Sequence, residues 1–259
     1  MNITIIGCGN LGFSIAKGLA NKQKEFDLNI TATDPEADLE SIRAAGINAS
    51  RDNIQAVKDS EIIFLCVKPW IAKDVIEEIA PALNNDQILI SPVAGLSIDQ
   101  IKGYCSKKLS VFRIMPNIAA SINESTTCVA YDAEDEVVES TLKILGILGK
   151  VIVIDESRIN AATILTGSGI AFVLRFMRAM VEGGIEIGFK SDIANEIVSQ
   201  TVKGTVELLM KEGAHPEQLI DRVCTPSGTT IRGLNEMEKN GFSSSVIEGI
   251  LSAYKVISK

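Results

Sequence analysis

Residues 224 to 230 read CTPSGTT, seven uncharged residues that hand over to a helical pattern in IRGLNEME. If a helix starts near Thr229, the amides of Gly228, Thr229 and Thr230 lack intrahelical acceptors and point out of its N-terminus. Such amides suit a carboxylate. A hydrogen bond to a charged group is worth about 1.5–3 kcal/mol, so two or three of them orient a small acid without a basic side chain. The hydroxyls of Thr229 and Thr230 are placed to meet a ring nitrogen. An ordinary helix cap needs one hydroxyl, whereas this stretch offers four, on Thr225, Ser227, Thr229 and Thr230.

A second anion site is written at the other end of the chain. Gly7, Gly9 and Gly12 form GCGNLG directly after ITII and open a helix. Glycines at that spacing allow a tight turn and close approach of a pyrophosphate to the helix N-terminus, with Asn10 and Leu11 as the intervening residues. Asp34 follows about 20 residues later, where a carboxylate accepts from adenosine ribose hydroxyls. It favours NADH over NADPH, but it also suits the cap of a turn with Pro35, and the cofactor is left open as NADPH or NADH. Lys68 is a cation just after a predicted strand, facing the ligand crevice or solvated before Pro69. The single histidine, His215, precedes Pro216 and reads as a helix-start turn, not as an acid. Tyr104 and Lys108 have Y-x-x-x-K spacing but sit in the polar segment YCSKKLS and read as surface residues.

The elements that must position these residues follow from periodicity. Short apolar runs at 3–6, 30–33, 61–67, 87–93 and 110–115 alternate with helix-sized segments. That is the pattern of buried parallel strands with crossover helices. It predicts a Rossmann-like, doubly wound α/β domain over 1–156, closed by strands near CVAY and KVIVID. From 157 to 259 the pattern is helical only. The segment INAATILTGSGIAFVLRFMRAMVEGGIEIGF is apolar around most of its circumference, so it must be covered on several sides. A small second domain has little core to do this, which predicts packing against a second copy of the chain. The next helix is expected to have a Ser191 cap and Gly213 just past its end.

Composition bounds the partners. Of 259 residues 46% are hydrophobic and 22% charged, and the formal charge of -8 argues against a nucleic-acid or anionic-membrane footprint. Five cysteines without CxxC spacing suggest neither a disulfide framework nor a metal site. A cytoplasmic setting is expected. No targeting signal is read at the N-terminus, and no run approaches the roughly 18 uninterrupted apolar residues of a membrane span.

CVKP (66–69), VAG (93–95), MPN (115–117), LTGSG (165–169) and TPSGTTIRGLNEME (225–238) together resemble the ordered landmarks of pyrroline-5-carboxylate reductases. The resemblance runs almost from end to end. It implies reduction of the C=N bond of 1-pyrroline-5-carboxylate to proline by NADH or NADPH. It implies cofactor contacts from the glycine loop and Asp34, from Asn53, Val67, Lys68 and Pro69, and from Ala94, Gly95 and Asn117. Substrate would meet Ser168 and the turn Thr225, Ser227, Gly228, Thr229 and Thr230, with Thr229 nearest the ring nitrogen. The resemblance also implies a homodimer or ring of dimers, with this turn docked over the partner chain's nicotinamide. Thr225 and Ser227 stand where the family has Ser and Gly. Ile118, Ala119, Ile170 and Phe172 replace a hydroxyl, two prolines and a tyrosine, which leaves a reductase of another cyclic imino acid as the alternative. A dinucleotide-binding protein without catalysis is the alternative from a different class.

Overall fold

Runs such as ITII and IIFL have no polar face, so both sides must be covered. In the computed structural model, which describes residues 1–105 and 107–257, the runs are strands of one sheet. They are β1 (Asn2–Ile6), β2 (Asn29–Thr33), β3 (Asn48–Ser50), β4 (Ile62–Leu65), β5 (Ile88–Ser91), β6 (Ser110–Met115), β7 (Ser125–Asp132) and β8 (Gly149–Val153). Their order is β3-β2-β1-β4-β5-β6-β7-β8. The chain leaves β1 in one direction to reach β2 and returns across it to reach β4. This reversal places a ligand crevice at the carboxyl ends of β1 and β4. Connecting helices are α1 (Asn10–Ala20), α2 (Leu39–Ala44), α3 (Asn53–Lys58), α4 (Ala72–Ile79), α5 (Ile98–Tyr104) and α6 (Asp135–Gly146).

Strand alternation assigns side chains to two cores. Ile62 and Phe64 face one with Ile5, Ile15 and Phe112, while Ile63 and Leu65 face the other with Ile6, Ile76 and Leu89. Burying each such side chain contributes about 1.5–3 kcal/mol, so the sheet edge that carries the ligand crevice rests on a rigid base. Strand β7, whose direction the sequence left open, pairs antiparallel with β6, Val111 opposite Asp132 and Met115 opposite Cys128. The cause is connection length. A parallel return needs a dozen or more residues, whereas 116–124 holds only a short 3-10 turn, Ile118–Ile122, closed by Asn123 at φ 62°. Strand β3, the three polar-flanked residues NAS, has no apolar run and was not expected.

The chain divides into units Met1–Gly167 and Ser168–Val256. The second is helical: α8 (Gly169–Glu186), α9 (Ser191–Glu212), α10 (Pro216–Val223), α11 (Thr229–Lys239) and α12 (Phe242–Ile257); the expected domain end at 258–259 lies outside the described residues. Lys190, with extended backbone, precedes α9, so Ser191 is its first residue and not its cap. Gly213 ends that helix at φ 61°, as expected. His215 precedes α10 and its Nδ1 accepts from the Glu217 amide at 3.3 Å, so the histidine serves the helix start. Within this unit Val181, Ala194 and Val198 are the buried apolar cluster, while Phe172, Leu174, Ile197 and Leu251 remain exposed. A core of three side chains cannot offset the ordering of five helices. One continuous helical stretch, Glu156–Glu186, is long and apolar enough by length and composition to cross a membrane. It holds no run of about 18 uninterrupted apolar residues, in line with the sequence reading, since Thr163, Thr166, Ser168, Arg175 and Arg178 interrupt it.

Arg113, buried on β6, donates to Glu156 at 3.2 Å and to Asn160 at 2.7 Å. Glu156 also accepts from the Ile98 amide at 2.8 Å, which ties β6, α5 and the segment after β8 together. Replacing one partner strands the other's charge. Glu156→Ala is expected to cost about 3 kcal/mol, the low end for a buried pair because part of Glu156 reaches solvent. A denaturant midpoint at unchanged m-value measures this; a loss below about 1 kcal/mol would show that the pair is not a structural tie.

Candidate functional site

The glycine loop is built by close packing. Gly7 has φ +93°, its amide donates to the Thr33 carbonyl at 2.8 Å, and a Cβ there would stand 2.5 Å from the Cys66 carbonyl oxygen. A Cβ on Gly12 would overlap the Gly7 carbonyl. Gly9 is different: it has φ -65° and nothing within 4 Å of a Cβ position. Its lack of a side chain keeps space open, not packing tight. Gly9 is the N-cap of α1, which has no side-chain cap and no acid in its first turn. The amides of Asn10, Leu11 and Gly12 therefore have no intrahelical acceptor, and the positive end of the helix faces the opening. This cradle fits a dinucleotide pyrophosphate.

Asp34 joins the loop to the next strand. One carboxylate oxygen accepts from the Cys8 amide at 2.7 Å, and the other accepts from the amides of Glu36 and Ala37 at 2.8 and 3.0 Å. The carboxylate thus caps the turn after β2 and also touches the glycine loop. Burial, then the Asp34 charge, pushes the Cys8 thiol up to about 11. Burial, then Cys8, pushes the Cys66 thiol up as well. Both stay protonated and act as small apolar lining. Val67 packs against Gly7, while Lys68 and Pro69 are exposed at the end of β4, where Pro69 opens a 3-10 turn. Among the described residues Lys68 has no ion-pair partner. Asn53 accepts from the Thr33 hydroxyl at 2.6 Å at the start of α3. Ala94 and Gly95, the latter at φ +75°, turn the chain after β5.

Asn117 is more committed than the sequence suggests. Its Oδ1 accepts from the Ala119 amide at 3.0 Å and its Nδ2 donates to the Thr166 carbonyl at 3.2 Å. Thr166 lies in a π-helical turn, Ile164–Ser168, that follows the short helix α7 (Ile159–Thr163) and coincides with the LTGSG segment. A π turn interrupts the regular backbone ladder, a feature frequent at functional positions. Ser168 ends it, half-buried.

Beside the glycine loop a hollow of about 530 Å³ is lined by Gly9, Asn10, Ser14, Asp38, Ser41 and Ile118, among others. Its volume is that of a small-molecule site. A hollow of about 590 Å³ lies instead at the β7–β8 edge, lined by Asp99, Asp132, Asp155 and Glu156, away from the glycine loop in sheet order. Sequence reading missed Ser14, Asp38 and Ser41; the stretch Asp-Leu-Glu-Ser at 38–41 carries the signal of a capped helix start.

The hydroxyl-rich turn lies in the helical unit and differs from expectation in one respect. The Gly228 amide is not free: it donates to the Thr225 carbonyl at 2.9 Å and closes the turn. Gly228 is the N-cap of α11 and has no side chain to cap it, so the free amides shift to Thr229, Thr230 and Ile231. Ser227 takes φ +60°, the left-handed region, where the resembling family has glycine. A Cβ on Gly228 would overlap the Thr225 hydroxyl. Thr225, Ser227, Thr229 and Thr230 are all exposed.

Comparison with known proteins places the chain in a family. A family model for pyrroline-5-carboxylate reductase dimerisation matches residues 156–259, and one for NADP oxidoreductase, coenzyme F420-dependent, matches 2–95. Pyrroline-5-carboxylate reductase 2 of Dictyostelium discoideum is 36% identical over 100% of this chain and 92% of its own length. The chain belongs to the pyrroline-5-carboxylate reductase family. Pyrroline-5-carboxylate reductase 1 of the same organism is 38% identical, and there the chain spans 48% of the relative's length. Among solved structures, the Plasmodium falciparum pyrroline carboxylate reductase with NADP bound superposes with a TM-score of 0.88 at 26% identity, covering 98% of this chain and 96% of that one. The Streptococcus pyogenes 1-pyrroline-5-carboxylate reductase gives 0.86 at 27%, covering 99% and 98%. The dimerisation match covers the apolar helical stretch Glu156–Glu186 and supports an oligomer.

The glycines separate fold from binding. Gly9→Ala should leave the thermal midpoint within about 2 °C and weaken dinucleotide binding about tenfold, roughly 1.4 kcal/mol. Gly12→Ala should lose both. Calorimetric titration beside a thermal melt distinguishes them; equal damage from the two substitutions would mean that the open space at Gly9 is not ligand space.

Proposed function

We propose that this chain is a pyrroline-5-carboxylate reductase that reduces the C=N bond of 1-pyrroline-5-carboxylate to give proline. The observation that carries the reading is the α11 start: a glycine cap, free amides at Thr229 and Thr230, and hydroxyls on the same residues. The amides hold the substrate carboxylate, and the Thr229 hydroxyl orients the ring nitrogen. The amides of Asn10, Leu11 and Gly12 hold the pyrophosphate, with Asp34 on the ribose, Asn53 and Lys68 along the crevice, and Ala94, Gly95 and Asn117 beyond it. NAD(P)H supplies the hydride for the imine carbon. The protein's part is to hold the two partners in near-attack geometry, since a protonated imine is already electrophilic and needs no dedicated acid. The exposed, helix-capping His215 fits a reaction without one.

The active form is a homodimer formed through the helical unit, whose exposed apolar faces need a second copy. The reaction runs in the cytoplasm, in keeping with the five free cysteines. A second reading, reduction of another cyclic imino acid, is favoured by Ile118 at 49% and Phe172 at 37% exposure, apolar side chains in place of the family's threonine and tyrosine hydroxyls.

Turnover of five- and six-membered cyclic imino acids, followed by nicotinamide absorbance, separates the two readings. Preference for the five-membered ring is expected; preference for the six-membered ring would replace the assignment. Thr229→Ala should lower kcat/KM at least tenfold, a barrier rise of about 1.4 kcal/mol, with dinucleotide affinity nearly unchanged. Equal loss of both would mean that Thr229 supports the fold.

A further inference from the structure

The turn between β2 and α2 carries three acids in five residues, Asp34, Glu36 and Asp38, and two of them are fixed in place. Asp34 is held by three backbone amides and cannot swing aside. Its remaining acceptor capacity suits ribose hydroxyls, which donate, and not a phosphate, which only accepts at neutral pH. Asp38 occupies the start of α2. Its carboxylate accepts from the Glu40 amide at 3.0 Å and from the Ser41 hydroxyl at 2.6 Å. The Ser41 hydroxyl, then the amides of Glu40 and Ser41, hold its carboxyl below the usual range, so it is ionised. The amides a phosphate would need at this helix start are therefore already taken by an anion of the chain itself.

Asp38 and Ser41 also line the hollow beside the glycine loop, and no lysine or arginine does. On the neighbouring segments Arg51 reaches the Pro35 carbonyl and Arg43 the Ala49 carbonyl, both as exposed side chains, and neither lines the hollow. Asp52, beside Arg51, caps α3 by accepting from the Gln55 amide at 2.8 Å and adds a further negative charge to this edge.

We infer that this chain selects NADH over NADPH, with Asp34 and Asp38 as the residues that exclude a 2′-phosphate. The inference rests on the dinucleotide reading above and deepens it. It sets the chain apart from the Plasmodium falciparum relative, whose structure holds NADP. The oxidised and reduced forms share the adenosine half, so the selection acts on NAD+ and NADP+ alike.

Direct binding tests it without any turnover. Calorimetric titration of the purified chain with NADH and with NADPH is expected to show NADH at least tenfold tighter. Asp38→Ser keeps a residue that caps helices while removing the charge, and should raise NADPH affinity several-fold with NADH affinity unchanged. Asp34→Asn, which keeps one acceptor oxygen for the turn, should narrow the gap further. NADPH binding as tightly as NADH to the unaltered chain would overturn the inference. So would Arg51→Ala losing NADPH affinity alone, which would make Arg51 a phosphate ligand. Binding of neither dinucleotide would overturn the underlying dinucleotide reading, and the preference with it.

Discussion

Backbone amides left open at helix starts are the interaction on which the proposed site depends. The chain is acidic, yet its ligands are anions, so attraction must be local and must come from peptide groups and helix ends. Four helix starts are closed by the protein's own side chains, Asp38 for α2, Asp52 for α3, Ser97 for α5 and His215 for α10, whereas α4, α6 and α9 have non-glycine caps that make no such bond. The starts of α1 and α11 instead fall on Gly9 and Gly228, which have nothing to cap with. A glycine there costs only a few tenths of a kcal/mol relative to a Ser or Asp cap, so the open start comes at little loss of stability. In the proposed site the open donors take phosphate at one start and carboxylate at the other.

The two glycine starts are held open by different means. At α1 the loop is fixed from beneath, with Gly7 and Gly12 packed on each other and on the end of β4, and Asp34 bonded to the Cys8 amide. At α11 the turn is fixed internally, by the Gly228 amide on Thr225 and by a left-handed Ser227. Placing serine in that conformation costs about 1–2 kcal/mol. The first site stands on two apolar cores, and the second on a helical unit whose own buried cluster is small. The proposed carboxylate site at α11 therefore rests on a unit with little core of its own, and that unit lies within the dimerisation match.

Much of this was legible because the signals are local. Apolar runs bounded by turns gave the positions of seven strands, and GCGNLG after ITII marked the loop. Features set by tertiary geometry were not legible. Whether β7 runs parallel or antiparallel depends on what nine residues between strands can span, and a three-residue edge strand such as β3 is formed by its neighbour β2, not by its own pattern. The Gly228 amide looked free because sequence shows helix starts but not which turn carbonyl folds back. Asp34 is a mixed case: the turn cap that its place before Pro35 suggests is present, and the second carboxylate oxygen also accepts from the Cys8 amide of the glycine loop, a bond that no sequence signal marks.

A crystal structure of the chain with a nicotinamide dinucleotide and proline, whose carboxylate matches that of the imine, tests the central claim most directly. Both proline carboxylate oxygens should lie about 2.7–3.2 Å from the amide nitrogens of Thr229 and Thr230, with no lysine or arginine at that distance. A carboxylate seated on a cationic side chain, away from these amides, would contradict the account.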